Sequence, residues 1–226
     1  VNIDIPRFVL PEEYGETLGS AVLLGKELGL SNEQISYSLV RNFELPLGRS
    51  TIFEGINDSV IIDSSYNASG VSVIASLKLL QRLKQASKRQ CVFVMGDMRE
   101  LGEEAKQEHQ DVARELVKFV DYLYCVGPLT QAYVIPIAHK GKKLKGVRWF
   151  GSSIEAGKYL RQAMPEKALV LVKGSQNEIF LEEAVKEILM RKGDAGKLCR
   201  QEPGWLRRKR LFLASDISPQ TLQTDI

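Results

Sequence analysis

Residues 91–105, CVFVMGDMRELGEEA, decide the fold class of this chain. An apolar run is followed by a polar loop from Gly96 to Gly102, and the acidic pair Glu103 and Glu104 then favours a helix N-terminus. A run that is apolar on both faces is typical of a parallel sheet covered by helices on both sides. This stretch therefore predicts one strand–loop–helix unit of an α/β fold.

The same pattern recurs along the chain. The apolar runs are Thr51–Ile56, Val60–Ser64, Cys91–Met95, Tyr122–Val126, Val147–Phe150 and Ala168–Val172. Helical stretches separate the later runs, and only the first two are joined by a turn short enough for a hairpin, Asn57-Asp58-Ser59. We therefore expect a doubly wound, mostly parallel sheet of about six strands with one antiparallel strand.

The two ends of the chain differ from this α/β middle. Helical patterns cover Thr17–Leu28 and the stretch after Ser31, and Pro46 with Gly48 then breaks the pattern. The segment after Leu198 has weak periodicity and a polar end, which predicts a loosely ordered tail. The predicted divisions are residues 1–47, 48–198 and 199–226.

Composition limits the function classes. A formal charge of +3 is too small to indicate a nucleic-acid partner, and the basic run Arg207–Arg210 is typical of a solvated chain end. No run approaches the roughly 18 apolar residues of a membrane span. Cys91 and Cys125 lie in apolar runs and no C-x-x-C pair occurs, which fits buried thiols in a reducing cytosol. We therefore expect a cytoplasmic protein.

Polar loops follow three of the apolar runs. They are Asp63–Gly70, Gly96–Gly102 and Lys173–Asn177. Ligands of open α/β sheets bind outside the carboxyl ends of the strands, where helix N-termini present free N–H groups. A capping role for Ser69 would explain one of these loops but not all three. We therefore expect the loops to share one edge and to form a crevice for a polar or anionic ligand.

These loops carry a resemblance to the Mur ligases. The matching stretches, in family order and spacing, are Gly48-Arg49, Ile62–Ala68 (IDSSYNA), Gly96–Glu103 (GDMRELGE) and Val172–Ser175 (VKGS). The two longer stretches are specific when taken together. The resemblance is nearest to the family members that add D-alanyl-D-alanine.

The resemblance implies a fold, a reaction and a cofactor. Residues 1–47 would be the carboxyl-terminal remnant of a central ATPase domain, and residues 48–198 a Rossmann-like domain that follows it. Such ligases use ATP to make an acyl phosphate on a UDP-N-acetylmuramoyl-peptide, which the amine of D-Ala-D-Ala then attacks. The ligands of Mg²⁺ would lie upstream of this chain, and the enzyme would be a monomer.

The resemblance also implies roles for particular residues. Arg49 would be the catalytic cation that reaches the ATP phosphates, where charge spreads in the transition state. The nucleotide would contact Arg49, Asp63, Ser64, Tyr66 and Asn67. The substrate would contact Asn67, Ala68, Lys173 and Ser175, and no residue of this chain is assigned to a metal. The family pattern has an aspartate where Ser64 stands, so either Asp63 takes over that contact or the contact is weaker.

Other functions remain open from the sequence. The chain lacks the phosphate-binding pattern Gly-x-x-x-x-Gly-Lys-Ser/Thr, so alone it is expected not to hydrolyse ATP. The parent could be a sister ligase that adds diaminopimelate or lysine, or a polyglutamate or cyanophycin type. A non-enzymatic binding module that works with a separate ATPase is the remaining alternative. A phosphate-binding loop upstream of Val1 would decide for the ligase.

Overall fold

The computed structural model describes residues 9–176 and 178–214. The strands are β1 (Thr51–Gly55), β2 (Ser59–Ser64), β3 (Cys91–Gly96), β4 (Tyr122–Val126), β5 (Gly146–Phe150) and β6 (Leu169–Lys173). The helices are α1 (Tyr14–Glu27), α2 (Asn32–Asn42), α3 (Gly70–Ser87), α4 (Ala105–Leu116), α5 (Ile135–Ala138), α6 (Ser153–Ala163), α7 (Glu182–Ile188) and α8 (Pro203–Ala214). Among these described residues, no helix is both long enough and apolar enough to cross a bilayer.

The strands form one sheet in the order β1-β2-β6-β3-β4-β5. β1 runs antiparallel to β2, and every other neighbouring pair is parallel. The expected mostly parallel sheet with one antiparallel strand is therefore confirmed. Because β2, β6 and β3 are neighbours and run the same way, their carboxyl ends lie side by side at one edge of the sheet.

Apolar side chains cover both faces of the sheet, as the two-faced runs predict. On one face, Val94 and Val172 pack with Leu160 of α6 and with Val185 of α7. On the other face, Phe93 and Leu171 pack with α3 and α4 residues, among them Leu80 and Leu116. Neighbouring residues of one strand therefore face different helical layers, which becomes important at the end of β2.

Two helices differ from the sequence prediction. α1 begins at Tyr14, three residues before the predicted start. In the sequence, the apolar stripe of Leu181, Val185 and Ile188 predicts a last helix over Ile179–Leu189, but in the structure α7 covers only Glu182–Ile188. Glu178 and Phe180 have φ angles of 61° and 47°, a left-handed conformation that an α-helix cannot include, so the helix begins only after them.

The prediction of a loosely ordered tail is wrong for residues 199–214, and residues 215–226 lie outside the described residues. Cys199 and Arg200 are buried, and α8 packs its Phe212 and Trp205 rings against Phe180. Lys209 belongs to the run predicted to be solvated, yet it is 3% exposed and pairs with two carboxylates. Hydrophobic periodicity misses this segment because buried ion pairs, in addition to apolar contacts, hold it in place.

Candidate functional site

The three polar loops meet at one edge of the sheet, as predicted. Lys173 Nζ donates a hydrogen bond to Asn67 O at 3.0 Å, and Ser175 Oγ donates to Asn67 Oδ1 at 3.3 Å. The backbone N–H of Ser175 donates to Asp97 O at 2.9 Å. These bonds link the loop after β6 to the loops after β2 and β3. Asn177, the last residue of the third predicted loop, lies outside the described residues.

A cavity of about 270 Å³ opens beside these loops. It lies between the start of α1, the turn at residues 48–50, the ends of β2 and β6, and the N-terminus of α3. Its lining residues are Pro11, Glu13, Tyr14, Gly48, Arg49, Ser50, Ser64, Asn67, Ser69, Val71, Ser72, Ala75, Ser76 and Lys173. Four of the predicted site residues therefore border one cavity, namely Arg49, Ser64, Asn67 and Lys173.

Arg49 reaches the cavity from a turn that needs a glycine. Gly48 has a φ angle of +73°, and a Cβ atom there would lie 2.9 Å from Cys199 Sγ. The guanidinium of Arg49 lies over the ring of Tyr66, 4.6 Å from the centroid, which is a cation–π contact. Tyr66 N–H in turn donates to Gly48 O at 3.0 Å. The aromatic ring therefore holds Arg49, whose side chain stays exposed to solvent.

Lys173 is the second cation of the cavity, and it is 7% exposed. Its burial, together with the nearby charge of Arg49, lowers the pKa of Lys173 to about 8. Within residues 9–176 and 178–214, no carboxylate forms a salt bridge with Lys173 or Arg49. The cavity therefore carries positive charge that described acidic side chains leave unpaired.

Small polar side chains complete the cavity. Ser64 Oγ accepts a hydrogen bond from Ser50 N–H at 3.2 Å, which ties the end of β2 to the turn that carries Arg49. Ser69 and Ser72 form a reciprocal cap at the N-terminus of α3. The sequence indicated Ser69 as a cap, but nothing in it indicated that Ser50, Ser72 and Ser76 would border a cavity.

Four predicted site residues do not line the cavity, and one of them, Tyr66, lies against the guanidinium of Arg49 instead. Ala68 is 4% exposed and packs in the core. Ser175 is fully buried, and its hydroxyl orients the side chain of Asn67. Asp63 is fully buried on the opposite face of the sheet from Ser64, because successive side chains of a strand point to opposite faces. The prediction that Asp63 contacts a ligand here does not fit this placement.

The carboxyl group of Asp63 lies in an enclosed environment. Its Oδ1 accepts a hydrogen bond from Ser65 N–H at 3.0 Å, whereas Oδ2 has no hydrogen-bond partner among the described residues. Burial raises the pKa of Asp63 to about 6. Asp63 therefore acts on the local fold, and Ser64 is the residue of this pair that faces the cavity.

Polar residues of the Gly96–Gly102 loop make the contacts that order it. Asp97 Oδ1 accepts from Thr130 N–H at 2.8 Å, and Arg99 forms an ion pair with Glu178 at 3.0 Å. His109 Nε2 accepts from Met98 N–H at 3.0 Å, while its Nδ1 lies 2.6 Å from Ala105 O. His109 is fully buried, and this burial lowers its pKa. These contacts make His109 a neutral structural residue of the loop.

Metal ligands are not grouped in this part of the chain. Within residues 9–176 and 178–214, no cluster of three or more His, Cys, Asp or Glu side chains could hold a metal ion. Glu13 is the one carboxylate that lines the cavity among the described residues. A single carboxylate does not form an all-protein metal site, whereas the cations Arg49 and Lys173 suit an anionic group.

Comparison with known proteins identifies a family. The family model described as "Mur ligase, glutamate ligase domain" matches residues 48–176. The UDP-N-acetylmuramoyl-tripeptide–D-alanyl-D-alanine ligase of Buchnera aphidicola subsp. Acyrthosiphon pisum is 26% identical over 136 residues. That alignment covers 58% of this chain and 28% of the relative. The enzyme of the same name from Buchnera aphidicola subsp. Baizongia pistaciae is 29% identical over 201 residues, covering 80% of this chain and 41% of the relative.

A solved structure has the same fold. MurF from Acinetobacter baumannii superposes with a TM-score of 0.62 at 26% identity, and the match covers 78% of this chain and 37% of that structure. The chain thus spans less than half the length of these relatives. The family model, which matches more than half of the chain, and the shared fold show that this chain belongs to the Mur ligase family.

Proposed function

We propose that this chain is the carboxyl-terminal part of an ATP-dependent ligase that joins D-alanyl-D-alanine to a UDP-N-acetylmuramoyl-tripeptide. Residues 1–47 would then belong to the central ATPase domain, and residues 48–198 to the domain that follows it. Two relatives named for this reaction support the proposal, and this chain spans 28% and 41% of their lengths. Because ATP and UDP-linked sugars are cytoplasmic compounds, the reaction would take place in the cytoplasm.

The observation that carries the proposal is the pair of cations, Arg49 and Lys173, in one cavity with no described carboxylate partner. Transfer of the γ-phosphoryl group of ATP spreads negative charge over the phosphate oxygens, and fixed cations stabilise that charge. A carboxylate oxygen of the tripeptide attacks the γ-phosphorus and ADP leaves. The dipeptide amine then attacks the acyl carbon, the C–O bond to phosphate breaks, and the amine loses a proton.

The neighbouring polar groups would orient the reactants. Asn67 is held by Ser175 and Lys173, so its exposed side chain has a fixed direction. We assign Asn67 to polar groups of the incoming dipeptide, and Ser64 to a weak contact with the nucleotide. Tyr66 would act on the nucleotide indirectly, because its ring holds Arg49.

Magnesium normally accompanies ATP in phosphoryl transfer. The described residues that line the cavity offer a single carboxylate, Glu13, whereas Mg²⁺ is typically held by one or two carboxylates together with phosphate oxygens and water. In our proposal the ligands of this ion belong to another part of the ligase, and the side chains described above act on the anionic substrates.

The test is an assay of the complete gene product that contains this chain. Purified protein is supplied with ATP, Mg²⁺, UDP-N-acetylmuramoyl-tripeptide and one amine at a time, and release of phosphate is measured. We expect turnover with D-Ala-D-Ala and none from residues 1–226 alone. Turnover with diaminopimelate or lysine instead would reject the substrate assignment. Turnover by residues 1–226 alone would reject the proposal that ATP hydrolysis needs another part of the ligase.

Arg49→Ala tests the site itself. In the complete enzyme it is expected to lower kcat on the order of a hundredfold, since one contact to transition-state charge is typically worth a few kcal/mol. The melting temperature should barely change, because an exposed arginine contributes little to stability. Arg49→Lys should restore part of the rate, and Arg114→Ala on the exposed side of α4 serves as the matched control. Near-normal turnover of Arg49→Ala would show that Arg49 has no catalytic role.

A further inference from the structure

A buried ion network lies on the face of β2 opposite the cavity. Glu182 is fully buried and accepts from Arg200 Nε at 2.9 Å and from Arg200 Nη2 at 2.5 Å. Lys209 Nζ lies 2.6 Å from Glu182 Oε1 and 2.7 Å from Glu183 Oε1. The side chains of Arg200 and Lys209 are each 3% exposed. Two buried cations thus share the carboxylate of Glu182.

Arg200 extends beyond this network into the loop after β2. Its Nη1 donates to Tyr66 O at 3.0 Å, and its Nη2 donates to Ser65 O at 2.8 Å. The planar guanidinium can bind a carboxylate on one side and two carbonyls on the other, a geometry that a lysine ammonium cannot reproduce. The preceding residue supports the same loop, since Cys199 Sγ lies 3.5 Å from Ser65 Oγ.

The loop that Arg200 holds is the one that places the catalytic cation. Tyr66 is joined to Gly48 through its backbone N–H, and its ring lies under Arg49. We infer that Arg200 is a positioning residue for Arg49: it fixes the Ser65–Tyr66 backbone, and through the Tyr66 ring it fixes the guanidinium at the cavity. This inference rests on the proposed function, because it gives Arg49 its task.

Lys209 provides a matched comparison for Arg200. Both cations are equally buried and both bind Glu182. In the described part of the chain, however, the bonds of Lys209 reach Glu182 and Glu183 and none reaches Ser65 or Tyr66. A change at Lys209 therefore disturbs the ion network without freeing the loop.

The first test measures kcat and KM for ATP in the complete ligase. The variants are Arg200→Met, Arg200→Lys, Lys209→Met, Arg49→Ala and the double variant Arg49→Ala/Arg200→Lys. Because a small displacement of a catalytic group costs much of its effect, we expect Arg200→Met to lower kcat on the order of tenfold or more. Arg200→Lys keeps a cation beside Glu182 and should lower kcat similarly while melting close to the unchanged protein. Lys209→Met should keep kcat within about twofold at a temperature where every variant is folded.

The double variant separates positioning from general destabilisation. If Arg200 acts through Arg49, adding Arg200→Lys to Arg49→Ala should cost less than about twofold more in kcat, because the positioned group is already gone. Effects that multiply would overturn the inference. A loss of kcat in Lys209→Met equal to that in Arg200→Met would also overturn it.

The second test needs no activity. Residues 1–226 are labelled with 3-fluorotyrosine, and the fluorine resonance of Tyr66 is identified by its loss in Tyr66→Phe. Arg49→Ala and Arg200→Lys should each move that resonance, whereas Lys209→Met should leave it in place. If the resonance moves but the complete protein turns over none of the ligase substrates, the proposed function fails and the structural link stands. If Arg200→Lys leaves the fluorine resonance of Tyr66 unchanged, the structural connection between Arg200 and Tyr66 is refuted.

Discussion

Two pairs of cations lie on opposite faces of the sheet at the end of β2. On the side of Ser64, Arg49 and Lys173 border a cavity and have no carboxylate partner among the described residues. On the side of Asp63, Arg200 and Lys209 are paired with Glu182 and Glu183. Carboxylates within the chain compensate one pair of cations, and no described carboxylate forms an ion pair with the other.

This difference separates structural cations from cations available to a ligand. Burying a charge is costly unless a partner compensates for it, and the Asp63 side provides that compensation within the chain. On the Ser64 side no described carboxylate compensates for the buried charge of Lys173. Burial is therefore the main cause of the lowered pKa of Lys173. An anion that enters the cavity would supply the missing partner. Substitutions on either face of the sheet can test this difference.

The largest effect on the free energy of unfolding is expected from Glu182→Gln, which removes the carboxylate shared by Arg200 and Lys209. This change leaves buried Arg200 without a carboxylate, and removal of one partner of a buried ion pair typically costs about 3–5 kcal/mol of the free energy of unfolding. The control is Glu187→Gln on the neighbouring surface, where a partly exposed pair with Arg161 spans 3.9 Å and should be worth less than about 1 kcal/mol. Urea unfolding of both variants gives the comparison. Equal losses would mean that the buried network contributes no more than a surface ion pair.

A smaller effect is expected from Asp63→Asn, and it depends on pH. The folded-state pKa of Asp63 is about 6, above its ordinary value of 3.8, so between these two values the folded chain binds more protons than the unfolded chain. The free energy of unfolding should therefore fall as pH rises from about 4 to about 6, by roughly 2–3 kcal/mol for this group. Asparagine cannot titrate and should remove this slope.

Denaturant unfolding at several pH values measures the Asp63 effect. Asp111→Asn is the control, because Asp111 is an exposed residue of α4. The same Asp63→Asn change in the complete ligase should leave KM for ATP unaltered, since Asp63 does not border the cavity. A clear rise in KM would restore the nucleotide contact that the family resemblance implies for Asp63.

The smallest effect concerns the pKa of Lys173, which nuclear magnetic resonance of labelled lysine side chains can follow. We expect a midpoint near 8 in the isolated chain. Arg49→Ala removes a neighbouring positive charge, so it should raise the pKa of Lys173 by up to about one unit. Arg114→Ala should leave the midpoint unchanged. A midpoint near the ordinary 10.5 in the unchanged chain would show that Lys173 is more hydrated than its burial indicates.

Much of the fold follows from local sequence patterns. All six strands were predicted to within about a residue at each end. The four inner strands, β2, β3, β4 and β6, are continuous apolar runs because they are buried on both faces. The shared edge also follows from the sequence, since parallel neighbours end on the same side. The start of α7 could not be predicted, because nothing in the sequence around Glu178 and Phe180 indicates that these residues adopt a left-handed conformation.

The site was predicted less completely, and the reasons are geometric. The sequence places Asp63 next to Ser64, but it does not reveal which face of the sheet carries the cavity, so the two residues could not be separated. The role of Arg200 was hidden for another reason. Its partners, Glu182, Ser65 and Tyr66, lie 18, 135 and 134 residues away along the chain, and a buried ion pair leaves no hydrophobic signal.

The contact between Gly48 and Cys199 has a consequence for chain connectivity. The α/β unit is entered at Gly48 and left at Cys199, where a single added carbon on Gly48 would already be within 2.9 Å of the sulfur. Protein units whose ends lie close together often tolerate circular permutation, in which the old ends are joined and new termini are opened elsewhere. A short linker between these two residues, with new termini in the exposed loop at residues 142–143, would preserve every strand neighbour of the sheet, but it would omit Arg200 and Lys209 and leave buried Glu182 without its two cations.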